Sequence, residues 1–463
     1  MAEFATLTEL TGGLRGAAEI SNGTLKVTDT ATFRGRIDTI VRTAVFAKDE
    51  SLRDAARWVI RAAAPSFGVR TASIQNLYDA FGRGDVKGFT VPAINVRMMA
   101  YDTARAICRA TDKLETGAVI FELANSEMGY ADMTSFEYFP VIAAAAIREG
   151  FTGPLFVQGD HYQFKAAKFK ENRDKEIQRL KDLALAAIRA GYRNIDIDAS
   201  TLVDLSRKTV GDQQRDNYEM TAELTRFIRA NQPAGVTVSV GGEIGEVGEK
   251  NSTVEELRAY VDGYLKLLSG SKPCSKISVQ TGTTHGGLPR PDGSVADVAI
   301  DFDALERLSA AARGYGMGGA VQHGASTLPD DLFDRFPKRT TLEIHLATGF
   351  QNLIYDHPRF PKELRAEMYA HACKHHAGER KQGYTDEQFI YKARKYAIGP
   401  FKRASWEMPA DAREQIGRDL QAKFEFLFRQ LGVPKTRDVV NRTVEPVPDT
   451  APAPESLLAA CAS

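Results

Sequence analysis

The chain of 463 residues has no excess of either charge: Lys+Arg and Asp+Glu both total 60. Without a basic surplus nothing draws it onto nucleic acid or an anionic bilayer, so a small-molecule substrate is expected and neither of those partners. Cysteine is scarce. Cys108, Cys274, Cys373 and Cys461 are widely spaced and form no Cys-x-x-Cys pair, which excludes a disulfide framework at this length. No apolar run approaches the roughly 18 residues needed to span a membrane. Met1 to Arg15 mixes acidic and polar residues and lacks a charged start followed by an apolar stretch. No secretion signal is expected, and the cytoplasm is the expected location. A dinucleotide-binding turn is also missing: "NVRMMA" (Asn95–Ala100), after the first strand candidate, holds no Gly-x-Gly-x-x-Gly.

What is present is an ordinary globular balance, 43% hydrophobic and 26% charged, enough for a large core. From Gly88 onward one rhythm repeats, a short β-rich run and then a longer helical stretch. The strand candidates are Phe89–Val96, Ala118–Leu123, Pro154–Asp160, Asn194–Asp198, Thr237–Glu243, Lys276–Thr281, Ala320–His323 and Thr341–Leu346. Each is bounded by Gly, Pro, Asn or Asp, as parallel strands in a βα architecture are. Helix patterns at Asp174–Ala190, Tyr218–Ala230, Val254–Leu268 and Asp303–Arg313 repeat apolar residues every three or four positions, and Gly191 stands where a C-terminal cap is wanted. Eight such units suit a closed (β/α)₈ TIM barrel of the α/β class better than an open sheet. The expected organisation is a helical N-terminal extension (1–87), the barrel (88–360), a helical C-terminal segment (361–443) and a Pro/Ala-rich disordered tail (444–463).

Three of the eight histidines fall at the ends of strand candidates: His161 in "FVQGDHY", His285 in "QTGTTHGG" and His323 in "AVQHGAST". Strand C-termini of such a barrel converge on one face, so three imidazoles would meet in one mouth, a donor set suited to catalytic zinc. The alternative is three unrelated loop histidines. Carboxylates follow the same geography: Asp160 adjoins His161, Asp196 and Asp198 end the fourth strand, and Glu243 ends the fifth. These acids can move protons or orient an imidazole, or merely cap the next turn. "GGEIGEVGEKNS" (Gly241–Ser252) reads as a mobile loop bringing Glu246 and Glu249 over the site, or else as ordinary surface.

From Leu77 to Gln351 these motifs, in order, resemble the class II fructose-bisphosphate aldolases and their ketose-bisphosphate relatives. The segments that carry the resemblance are "FTVPAINV", "QGDHY", "GGEIGEVG", "QTGTTHGGLPRP" and "VQHGASTLP". The resemblance implies Zn²⁺ on His161, His285 and His323, with Asp160 shuttling the proton of the hydroxyl at the bond being cleaved. It implies a second cation, monovalent or divalent, near Asp198 and Glu243. Gly286, Gly324 and Ser326 would hold a substrate phosphate, with Asn95, Arg290 and Glu343 as further substrate contacts. Glu249 or Glu246 would exchange the proton on the enediolate carbon. The implied reaction is aldol cleavage of a ketose, phosphorylated in the family, through a zinc-stabilised enediolate, in carbohydrate metabolism such as glycolysis and in a homo-oligomer.

Several positions depart from the family pattern. Ala124 replaces a substrate-contacting Ser; the last strand carries Glu343, His345 and Ala347 in place of an Asn-x-Asp-x-Asp run; Pro289 stands where a lysine is usual; and Lys250 and Asn251 occupy the usual loop acids. The new Glu343 and His345 motivate a second reading, a ketose epimerase or isomerase on the same metal. A binding protein on a retired scaffold is the reading from outside catalysis, against which the retained ligands and Asp160 speak. A Schiff-base mechanism is not expected: no isolated lysine is read inside an apolar strand, and Lys276 is taken as a strand-edge residue.

Overall fold

The computed structural model describes residues 2–245, 250–282, 290, 300–447 and 451–462. Eight parallel strands form its centre: β1 (Val91–Asn95), β2 (Ile120–Ala124), β3 (Gly153–Gln163), β4 (Asn194–Asp198), β5 (Ser239–Gly245), β6 (Lys276–Val279), β7 (Ala320–Gln322) and β8 (Glu343–Leu346). Each pairs with its neighbours in chain order, β8 returns to β1, and the β3–β4 pairing completes the ring. The fold is a closed α/β TIM barrel. Every residue of β1, β2 and β4 is buried, as expected when one face meets the barrel interior and the other a helix.

The outer helices follow the expected pattern within a few residues: Arg173–Ala190, Arg215–Asn231, Val254–Leu267 and Phe302–Gly314. Gly191 closes the first of these with φ of 107°, which a side chain would resist. Thr253 and Glu256 form a reciprocal cap at the start of Val254–Leu267.

The N-terminal region is less purely helical than its composition suggests. A hairpin (Ala18–Ser21 with Thr24–Val27) lies between helices, and Val69–Thr71 pairs in parallel with the start of β3. Strands this short leave almost no periodic signal. Helix Gln75–Arg83 then brings Tyr78 into the barrel, where its hydroxyl donates to Glu343. On the C-terminal side, Ala410–Gln430 lies along Ala100–Lys113, tied by Arg413–Asp102 at 3.3 Å and Lys113–Glu425 at 2.8 Å.

The tail departs from the disordered segment expected of it. Val447 bridges to Thr71, the Trp58 indole donates to the Ala451 carbonyl at 2.9 Å, and a helix spans Glu455–Ala462 with Leu457 fully buried. A few apolar anchors on a proline-stiffened chain offset the composition that suggested disorder. Among the described residues no helix is long and apolar enough to cross a membrane.

If the tail is docked, Leu457→Ala removes a buried side chain and is expected to lower stability by about 2–4 kcal/mol in urea unfolding. An unchanged midpoint would mean that the tail does not dock.

Candidate metal centre and active site

Asp160 and His161 are adjacent, so in a regular strand their side chains would point to opposite faces. Here the β3–β4 register shifts between Gly159 and Tyr162, and His161 adopts φ of 43°. The bulge turns both side chains into one cavity, at the cost of a left-handed residue that packing must hold in place. The cavity, about 540 Å³, opens at the C-terminal ends of the strands.

Within it His161 Nε2 and His323 Nδ1 face each other at 2.9 Å, and Asp160 completes a cluster whose donor atoms lie within 4.8 Å of one another. Two ligands of one tetrahedral ion would stand roughly 3.3 Å apart, close to this spacing. The outer nitrogens are held as ligand imidazoles require. His161 Nδ1 lies 3.3 Å from Asp198 and 3.2 Å from Glu243, and His323 Nε2 lies 2.9 Å from the Ser278 hydroxyl. Electrostatics agree with a cation here. Burial disfavours a charged His161, but Asp160 and Glu243 outweigh it and raise its pKa well above the usual value. Burial and the charge of Asp198 push Glu243 up to about 7, against the pull of His161. Hydrogen bonds, above all with His161, hold Asp198 below its ordinary range despite its burial. The residues present fit a divalent ion.

Beneath this cluster lies a second polar layer. The His345 ring is 4.0 Å from that of His323, but its nitrogens are taken by carboxylates: Nδ1 by Glu122 at 2.9 Å and Asp160 at 3.3 Å, Nε2 by Glu343 at 2.6 Å. Nε2 is hydrogen-bonded to Glu343, Nδ1 stands within ion-pair distance of Glu122 and Asp160, and these acids raise the pKa of the ring well above normal against its burial. Glu122 is pushed up to about 7 by burial and by the charge of Asp160. Lower still, Lys276 binds Glu343 at 2.5 Å, Gln158 at 2.8 Å and Asp196 at 2.9 Å. Burial raises Glu343, but Lys276 and His345 outweigh it and hold the carboxyl at about 2. Burial raises Asp196 to about 6 against the pull of Lys276.

Lys276 opens β6, as its place at the strand edge implied, but it is not peripheral. It is fully buried inside the barrel, and its two carboxylates keep it protonated, which denies it the free amine that a Schiff base needs. Glu343, expected at the substrate, is fully buried below the cavity and is not among its lining residues. Asn95, Gly324 and Ser326 do line it. Asp198 and Glu243 converge on the far side of His161. Arg290 is exposed and lies outside the lining. His285, Gly286, Glu246 and Glu249 fall outside the described residues. Sequence reasoning missed Glu122, and also Arg97 and Glu127, an ion pair at 2.5 Å in the same cavity. The "ELANSE" segment across the end of β2 was the available signal, with two acids flanking a strand end.

The family model for fructose-bisphosphate aldolase class-II matches residues 75–417. The chain belongs to this family. Its likeness to solved structures reaches beyond the matched region. A fructuronate-tagaturonate epimerase from Cohnella laeviribosi is 12% identical over 90% of this chain and 94% of that chain, with a TM-score of 0.50. A protein described as a tagatose 6-phosphate kinase from Sinorhizobium meliloti is 16% identical over 80% and 97%, also at 0.50. A fructose-bisphosphate aldolase from Campylobacter jejuni is 16% identical over 79% and 97%, at 0.45. At such identities the likeness concerns the fold. No curated protein matches the chain. Membership of this family supports an enzyme acting on a small molecule.

Two predictions follow from the layers. Purified protein should carry one divalent ion by elemental analysis; His161→Ala and His323→Ala should lose it, and Ser278→Ala should weaken its affinity roughly 10–100-fold. Retention of the ion by both histidine variants would refute the assignment. Lys276→Met leaves Glu343 and Asp196 without their cation and should cost about 3–5 kcal/mol in chemical unfolding. A loss below about 1 kcal/mol would mean that the buried cluster relaxes without its lysine.

Proposed function

We propose that the protein is a metal-dependent enzyme acting beside the carbonyl of a ketose, with aldol cleavage and formation as its reaction. The observation that carries this is the convergence of His161 and His323 with Asp160 in one cavity at the strand C-termini. Zn²⁺ suits the donor set, with His285 as the proposed third ligand, and Asp198 and Glu243 as the proposed neighbours of a second cation. When bound, the ion supplies a Lewis acid to the substrate carbonyl.

The chain's own groups then divide the proton work. The Asp160 carboxylate takes the proton of the substrate hydroxyl on the carbon being released. The C–C electron pair moves toward the carbonyl, leaving an aldehyde and an enediolate. Asp160 returns its proton in the reverse direction. Glu122, joined to Asp160 through the His345 ring, keeps the local charge from accumulating as that proton moves. Glu249 or Glu246, in the segment after β5, is the proposed acid that protonates the enediolate carbon. Asn95 and Ser326 are proposed substrate contacts.

A second reading is epimerisation by the same first step. The aldehyde fragment turns, and re-addition to its other face inverts one carbon with no net cleavage. Two observations favour it: Tyr391, Lys392 and Lys395 from the C-terminal segment add to the lining of the cavity, where they would help to retain fragments, and the likeness to a fructuronate-tagaturonate epimerase extends over 90% of the chain.

An NMR time course with fructose 1,6-bisphosphate, fructuronate and tagaturonate, with and without chelator, separates these readings. Free fragments that vanish on chelation and return with Zn²⁺ support the aldolase; a new stereoisomer without fragments supports the epimerase. Asp160→Asn should lower turnover by about 10²–10⁴-fold with metal content intact. Chelator-insensitive turnover, or full activity in that variant, would overturn both.

A further inference from the structure

The lining of the cavity combines groups of opposite charge: Asp160, Glu122 and the histidines from the barrel strands, and Lys392 and Lys395, which come from outside the barrel. Their position is built into the C-terminal segment. Helix Asp386–Ala393 runs into the turn Arg394–Ala397, and Arg394 fastens both to helix Thr348–Asp356 after β8. It does so by bonds to Asn352 at 2.6 Å and Asp356 at 2.9 Å, with its guanidinium over the Tyr355 ring. The segment then meets the helix after β2, where Gly399 donates to the Tyr130 carbonyl at 2.9 Å. A side chain at Gly399 would strike that carbonyl oxygen at 2.6 Å, so glycine is required there.

This framework fixes two lysines that flank Arg394 in sequence. Lys395 lies 5.0 Å from the Tyr396 ring and 5.8 Å from the Tyr130 ring. Of the other cations in the lining, Arg97 is paired with Glu127 and Arg179 with Glu176. Lys395 forms no salt bridge among the described residues, and Glu379 and Glu127 act on it only from farther away. Burial pushes both ammonium groups below the usual lysine range. Lys395 adds to this at Lys392, and Arg97 at Lys395, with Glu379 opposing in each case. Cations crowded into a half-buried wall are stabilised by an anion that reaches them.

We propose that Lys392 and Lys395 bind the terminal anionic group, carboxylate or phosphate, of an open-chain sugar whose carbonyl end lies at Asp160, His161 and His323. This rests on the ketose reading above and extends it to a substrate with its charge at the end remote from the carbonyl. The C-terminal segment thereby becomes a specificity element of the site.

The test is calorimetry on the metal-loaded protein with three probes of equal carbon number: D-gluconate, D-glucitol 6-phosphate and neutral D-glucitol. At least one charged probe should bind tenfold or more tightly than glucitol, and the stronger of the two identifies the terminal group. The double variant K392Q/K395Q should lose affinity for that probe on the order of 10–100-fold while glucitol binding stays the same. K392R/K395R should keep it, which separates lost charge from lost folding. Equal binding of all three probes, failure of both charged probes to bind, or wild-type affinity in the glutamine variant would overturn the proposal. No turnover is read, so these results do not depend on the reaction. Lysine-dependent binding without turnover of any ketose would sink the ketose reading and leave the anion site standing.

Discussion

Lys276 has no route to solvent, so its charge must be met inside the barrel, and Glu343, Asp196 and Gln158 meet it at 2.5–2.9 Å. Room for this comes from β5. A side chain at Gly241 would stand 2.3 Å from an Asp196 oxygen and 2.9 Å from the lysine stem. Once Glu343 is committed to Lys276, its second task is to accept from His345, and His345 in turn fixes Glu122 and Asp160. Asp160 is therefore oriented by a chain of charged contacts that starts on the barrel floor. Breaking it low down leaves bare charge in a medium that cannot solvate it.

Both extensions serve that chain. From the N-terminal side Tyr78 seals the bottom of the barrel and gives Glu343 a hydroxyl. From the C-terminal side the Arg394 latch brings two lysines to the top. Neither extension is an appended unit with separate work. One completes the hydrogen bonding of the buried acid, and the other sets two lysines in the wall of the cavity.

Much of this was legible in one dimension, and the failures have physical causes. Eight strands and the placement of His161 and His323 at their C-terminal ends could be read because the βα period is long and regular. That Asp160 and His161 share a cavity could not, because alternation along β3 forbids it and only the bulge restores it. Lys276 looked peripheral because it is the first residue of β6. In a barrel of tilted strands the first residue of one strand can lie level with the middle of another. Glu343 was placed at the substrate by its motif position, yet its depth is set by Lys276, a partner 67 residues earlier. The tail was misread because Leu457 and the residues around it are anchored by contacts at Trp58 and Thr71, hundreds of residues away in sequence.

The chain of contacts also bears on why a cation belongs at the top. Six carboxylates, Glu122, Asp160, Asp196, Asp198, Glu243 and Glu343, share the barrel interior and its mouth with Lys276 and His345. Two positive groups cannot balance six negative ones at low dielectric, so the remainder must be met by protons or by further cations. Protons are one answer, and burial with mutual repulsion accordingly raises Glu122, Asp196 and Glu243 toward neutrality. A divalent ion between His161 and His323 is the other, because those nitrogens already face a common point beside Asp160. The two answers differ in what they leave behind. A proton on Asp160 would disable it as a base, whereas an ion beside it favours the free carboxylate that proton abstraction needs. The acidic crowding that costs stability thus favours a cation at the top of the barrel.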